Sequence, residues 1–145
     1  MEQELLNIQN RLVLKFRVNK VQTSGVYGPI LLNELFQHHD KTCKSQIKEG
    51  YLKIVTTDKE QPEICWHLWV ENDGNKYDIN RIMAERNDEE FKACEFDYLD
   101  SIDENKKPQE LYEQWALYQE DKKEFWKKSP MKLKNFRSKL FNNKK

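Results

Sequence analysis

No stretch of this chain comes near the ~20 consecutive apolar residues that a membrane-spanning helix needs, so no segment is expected to cross a bilayer. The opening MEQELLNIQN has no basic patch leading into an apolar run, which excludes the ordinary form of a secretory signal. Cysteine is scarce as well. Cys43, Cys65 and Cys94 make an odd number, without CxxC spacing or an accompanying histidine cluster, so neither a disulfide framework nor a zinc site is expected. That usage fits a reducing compartment inside the cell, the cytoplasm first. Net charge is missing too: 25 basic and 25 acidic side chains cancel, and overall charge directs the chain toward neither nucleic acid nor a membrane. Internal repeats and low-complexity segments are absent, and no metal or cofactor is expected.

What is present suffices for one domain. The 145 residues can enclose a single core, and with 37% hydrophobic and 34% charged residues that core must be compact beneath a heavily charged surface. Aromatic residues at 12% set the chain apart from disordered sequences, which lack large apolar side chains. The charges are segregated. Acidic residues predominate over 85–110, whereas 127–145 holds eight Lys or Arg and no acid. We therefore expect one domain over residues 1–145, with 128–145 as a basic C-terminal extension.

Residues 1–10 read as a short helix or an extended arm. Leu12, Leu14, Phe16 and Val18 then alternate with Val13, Lys15 and Arg17, which predicts a strand with one buried face. Two glycines and a proline within 23–29 mark a turn, and Pro29 suits a helix start because its φ is already fixed and its missing N–H would have no partner there. Ile30, Leu31, Leu32, Leu35, Phe36 and His39 follow at helical spacing, predicting a helix over 29–40. Its neighbours His38 and His39 diverge by about 100° around the axis and do not readily share one metal ion. A strand over 50–55 and a charged loop over 56–63 lead to a hairpin. Beyond it, Ile82 and Met83 either continue the sheet edge or open a short helix, and the acidic segment 85–107 is predicted to be a packed loop with a helical turn or more. Pro108 opens a helix over 108–127 with Leu111, Trp115, Tyr118 and Phe125 on one face. A last short helix uses Leu133, Phe136 and Leu140. The expected class is α+β: an antiparallel sheet including a 64–71/76–80 hairpin, packed against the helix at 29–40 and the helix at 108–127.

The hairpin CWHLWVENDGNKYDIN carries the candidate chemistry. Its turn, Asn72-Asp73-Gly74-Asn75, has residues that tolerate the positive φ of tight hairpins. Pairing Glu71 with Lys76 sets Val70 opposite Tyr77 and Trp69 opposite Asp78. Trp66, Leu68, Val70, Tyr77 and Ile79 then share an apolar face, while Cys65, His67, Trp69, Glu71, Lys76, Asp78 and Asn80 share the other. On that second face His67 and Asp78 are diagonal neighbours, roughly 7 Å apart at the backbone and within reach of a hydrogen bond that would orient the imidazole. An incidental structural pair would look the same.

A helix with glycines at its start, then a strand opening Gly50-Tyr51-Leu52, then His67-Leu68-Trp69-Val70-Glu71, Gly74 and Tyr77-Asp78: this order resembles the transglutaminase-like superfamily, a branch of the papain-like cysteine-dependent acyl-transfer folds. The resemblance covers residues 24–80. It implies that His67 and Asp78 are the last two members of a Cys-His-Asp triad. The family's cysteine sits at the helix start, where the dipole and a nearby imidazolium favour thiolate. Here that place reads Gly25-Val26-Tyr27-Gly28-Pro29, with no cysteine. Cys43 lies a helix length away. Cys65 shares a strand face with His67 but lacks the dipole, and Ser24, or Thr23, stands near the vacant position.

Three functions are open at this point. The first is a degenerate, non-catalytic transglutaminase-like domain, a pseudoenzyme that uses the inherited cleft to bind a protein or peptide, with Tyr27 filling the cleft and Trp69 either stacking on the ligand or packing beneath the C-terminal helix. The second is an active hydrolase or acyltransferase in which His67 and Asp78 serve Cys65 or Ser24. The third has the basic C-terminus, Lys127, Lys128, Lys132, Lys134, Arg137 and Lys139, bind nucleic acid or an acidic partner; neutralising the acidic 85–110 segment is the preferred role for these charges.

Overall fold

The computed structural model describes residues 2–18, 25–55, 63–87, 95–99 and 107–128. It is an α+β fold whose antiparallel sheet is covered on one side by helices. Ser24, Cys94, the 56–62 loop, the helix expected around 133–140 and nearly all of the basic extension lie outside the described residues.

Helix α1 spans Glu2–Val18. The strand expected over Leu12 to Val18 is therefore corrected to helix, and the reason is visible in the side chains. Leu5, Ile8, Leu12 and Phe16 recur at intervals of three and four and are all buried, together with Gln9 and Val13, while Leu14 and Val18 of the alternating pattern point to solvent. Glu2 and Glu4 in the first turn and Lys15 and Arg17 in the last complement the helix dipole. Helix α2, Tyr27–His39, is apolar nearly all round, burying Ile30, Leu31, Leu32 and Phe36. Asp40 ends it: its N–H reaches the Phe36 carbonyl, and its carboxylate accepts from the N–H and hydroxyl of Thr42.

Strands β1, Gln46–Val55, and β2, Glu63–Asn72, pair over nearly their whole length, with Gly50 opposite His67 and Tyr51 opposite Trp66. Short strand β3, Asn75–Tyr77, closes the hairpin in the expected register, Val70 opposite Tyr77 and Glu71 opposite Lys76. The turn uses positive φ at Asp73, 51°, and Gly74, 79°, as the strand twist requires. The pairing stops at Tyr77, earlier than the predicted residue 80, because Asp78 caps a helix: α3, Ile79–Asn87, whose Arg81 N–H bonds Asp78 Oδ1 at 3.1 Å. A fourth strand, β4, Glu95–Leu99, lies within the segment predicted as loop and pairs antiparallel with the far edge of β1, giving the order β3-β2-β1-β4. The helix predicted over 108–127 is two, α4 (Gln109–Glu120) and α5 (Lys122–Lys128), because Asp121 leaves helical geometry and its carboxylate caps the N–H groups of Lys123 and Glu124.

The inner sheet face, with Tyr51, Trp66, Leu68, Val70 and Tyr77, packs with α1, α2, α3 and α4 in one core; Phe36 meets Tyr77 edge to face with ring centroids 5.0 Å apart. Each fully buried large side chain there contributes on the order of 1.5–3 kcal/mol. The outer face has its own smaller apolar layer, in which Leu52, Ile54 and Trp69 are buried beside Tyr98. No described helix is long and apolar enough to cross a membrane.

Candidate functional site

His67 and Asp78 meet on the outer face. Alternation along β2 sends Trp66 and Leu68 inward and His67 outward, and the chain leaving β3 turns Asp78 to the same side. His67 Nε2 lies 2.6 Å from Asp78 Oδ2, with the two side chains 12% and 5% exposed. The contact commits Nε2 to the carboxylate and leaves Nδ1 for any further partner.

Asp78 is also held from two other directions. Its Oδ1 accepts the Arg81 N–H, and its Oδ2 accepts the Tyr98 hydroxyl at 3.0 Å. Arg81 Nη1 donates to Tyr98 Oη at 3.1 Å, its Nε donates to Glu85 at 3.0 Å, and its guanidinium lies 4.0 Å from the centre of the Phe96 ring. The pair predicted from the hairpin thus belongs to a five-residue network joining β2, α3 and β4. Burial and the Asp78 charge push the Tyr98 hydroxyl well above its ordinary pKa, with Arg81 pulling the other way. For Arg81, burial works against the charged form, but the hydrogen bonds and charges of Tyr98 and Glu85 win and hold its pKa high.

The remaining candidates are distributed differently. Trp69 is on the outer face as expected but fully buried: its indole N–H donates to Glu71 Oε2 at 2.7 Å and its ring meets Tyr98, with centroids 5.0 Å apart. It is therefore a core residue of the outer layer, under β4 rather than the C-terminal helix, and has no surface on which a ligand could stack. Tyr27, at the start of α2, is likewise buried, and its hydroxyl accepts from Gln114 Nε2 at 3.0 Å. Burial, then Glu110, raises its pKa. Cys65 shares the outer face, its Sγ 3.7 Å from the Leu52 carbonyl, and its thiol is shifted upward by burial first and then by the charges of Glu63 and Asp78. This is the reverse of an activated thiolate. Cys43 is half-buried, its Sγ 3.6 Å from Asn72 Oδ1. His38 and His39 join no metal cluster, and no group of three ligand-type side chains forms one among the described residues.

The start of α2 is covered. A Cβ on Gly25 would lie 2.9 Å from Leu111 Cδ1, so α4 rests directly on this turn, and the Gly25 carbonyl accepts from Asn80 Nδ2 at 3.2 Å. The apolar side of α2 packs on the inner sheet face, whereas His67 and Asp78 occupy the outer one.

Sequence reasoning missed a second polar centre on the inner face. Glu49 accepts the indole N–H groups of Trp66, at 2.8 Å, and of Trp115, at 3.1 Å, and forms an ion pair with Lys107 at 3.2 Å. An acidic residue between Ile47 and Tyr51 on the same strand face, one residue before Gly50, was the available signal. Tyr98 and Arg81 were hidden because β4 was unrecognised. Comparison with family models, with curated proteins and with solved structures found no match.

Proposed function

We propose that this chain is a transglutaminase-like domain that has given up thiol chemistry and acts by binding a protein or peptide. The observation that carries the reading is the helix start: from Gly25 to Pro29 it offers no thiol, and Leu111 and Gln114 of α4 cover it. His67 and Asp78 then serve as an interlock tying β2 to the start of α3 and to β4. The Cys65 thiol, raised in pKa, supplies no substitute.

One observation favours an active hydrolase or acyltransferase instead. Asp78 orients His67 as the carboxylate of a triad does, leaving Nδ1 for a nucleophile such as Ser24. Peptide amide and ester substrates separate the readings. Under the binding reading the wild-type chain gives no turnover above buffer, and iodoacetamide labels Cys65 slowly and at the same rate after His67→Ala. Turnover abolished by both His67→Ala and Ser24→Ala would refute it. Panning a random peptide library against the folded chain tests the binding half: enrichment of a consensus supports it, and no enrichment over the heat-denatured chain counts against it.

A further inference from the structure

We infer that the groove between α1 and α2 is the docking site for an acidic amphipathic helix of a partner protein. The groove has a volume of about 270 Å³ and an apolar floor of Ile8, Leu12 and Leu35. The other lining residues are Arg11 and Lys15 of α1 and His38 and His39 of α2, with His39 paired to Glu4 at 3.3 Å. It lies in the helical layer, and none of its lining residues belongs to the His67 and Asp78 network.

The flank of the groove extends the same chemistry. At 100° per residue, positions 11, 14, 15 and 18 fall on one stripe of a helix. On α1 that stripe reads Arg11, Leu14, Lys15, Val18, and its two apolar members are 57% and 71% exposed. Exposed aliphatic side chains interleaved with cations, beside an apolar groove that Arg11 and Lys15 also line, complement a surface that interleaves apolar side chains with carboxylates. The acidic residues of α1, Glu2 and Glu4, sit in its first turn, and Glu4 is engaged with His39 at 3.3 Å. Because the acids of α1 are confined to its first turn, the carboxylates of the guest belong toward the C-terminal half of α1, the half that carries Arg11 and Lys15.

Size selects the occupant. Small-molecule pockets run to about 300–1,000 Å³ and enclose most of their ligand. This groove is at the low end of that range and open, and Leu14 and Val18 are not among its lining residues, so a metabolite held in it would leave them uncovered. A helix laid along α1 puts one or two side chains into the groove and covers the exposed pair with the next turn, the helix-in-groove mode of recognition. The inference shares with the preceding section only the kind of partner and stands whatever chemistry His67 performs.

The test uses a fluorescently labelled peptide, ELEELFEELEEL, titrated into the full chain and followed by anisotropy, with KLKKLFKKLKKL as the charge-reversed control. The acidic peptide should bind at least about tenfold more tightly than the control and lose about tenfold in affinity when salt rises from about 50 to about 300 mM. Arg11→Glu with Lys15→Glu, and separately Leu14→Asn with Val18→Asn, should each weaken binding by about tenfold or more, with unchanged circular dichroism. All four positions are on the surface of one helix, and if one double variant fails to fold the other supplies the answer. Equal binding of the two peptides, or wild-type affinity in a folded variant, overturns the inference. So does concentration-dependent dimerisation that Arg11→Glu abolishes and the peptide leaves untouched, which would make a second copy the occupant. A library consensus that competes with the peptide supports the groove, while one that binds elsewhere keeps the general binding reading and removes this site. Turnover at His67 is measured separately and moves neither result.

Discussion

Replacing Gly50 with alanine adds a single methyl group at a point where the sheet has no room for it. A Cβ at that position would lie 2.2 Å from the backbone oxygen of Leu99 on β4 and 2.9 Å from Cη2 of Trp69. Ordinary contact begins at 3.4 Å, so the strand must retreat by about 1.2 Å, the difference between 3.4 and 2.2. The obstacle is a backbone atom, which no side-chain rotation moves. Leu99 pairs with Tyr51, the residue next to Gly50, so β4 would give way at the end where its ladder begins. Overpacking costs about 1–3 kcal/mol, and each ladder hydrogen bond lost adds about 1 kcal/mol, which together gives about 3 kcal/mol. For a chain of this size that is a fall in Tm on the order of 10 °C. Thermal denaturation followed by circular dichroism measures it, with tryptophan fluorescence reporting the loosening of Trp69. Gly25→Ala is the internal control: its new Cβ meets only the flexible tip of Leu111, at 2.9 Å, and should cost less than about 1 kcal/mol. A Gly50→Ala protein melting within about 2 °C of wild type would refute the placement of β4 and, with it, the Tyr98 hydrogen bond to Asp78.

Glu49→Ala should destabilise the chain by about 3–5 kcal/mol, because two buried indole N–H groups and the Lys107 ammonium lose one shared acceptor; chemical denaturation gives the value, and a loss under about 1 kcal/mol would contradict the bonding described. Alkaline pH should destabilise the fold. Tyr98 has a folded pKa raised above 10.0, so below about pH 10 both states keep the phenolic proton, and above it the unfolded chain releases a proton that the folded chain holds. Stability therefore falls as pH rises beyond about 10, and Tyr98→Phe should flatten this decline by one proton's worth, leaving the parts due to Tyr27, Tyr77 and Tyr118, whose pKa values are also raised; an unchanged slope would show that Tyr98 does not titrate late.

The hairpin was legible because it is local. Asp73 and Gly74 announce the turn, alternation assigns the faces, and the two together place His67 beside Asp78 without any knowledge of the rest of the fold. The N-terminal segment misled because Leu14 and Val18 complete an alternating pattern, yet both are solvent-exposed. The spacing of Leu5, Ile8, Leu12 and Phe16 carried the true period, and it outlasted the strand-like stretch by two turns. β4 was obscured by composition: Glu95 and Asp97 make EFDYL look like part of an acidic loop, while Phe96 and Tyr98 alternate with them as the half-buried face of an edge strand should. Trp69 illustrates a limit of alternation, which fixes the side of the sheet but not what covers that side. The cover here is Tyr98, which arrives from almost thirty residues further along the chain.

The single carboxylate of Glu49 also says something about time. Trp66 reaches it from the neighbouring strand and Trp115 from α4, and these ties differ in how much chain they enclose: 17 residues separate Glu49 from Trp66, and 66 separate it from Trp115. Closing the shorter loop costs less entropy, so the acceptor is in place on the β1–β2 pair before the distant helix can use it. Helix α4 is then expected to reach a sheet that already carries its anchor, with the turn at the start of α2 open to water until it does. Pulse-labelled hydrogen exchange during refolding should protect β1 and β2 earlier than α4, making the covering of that helix start a late event in the life of each molecule.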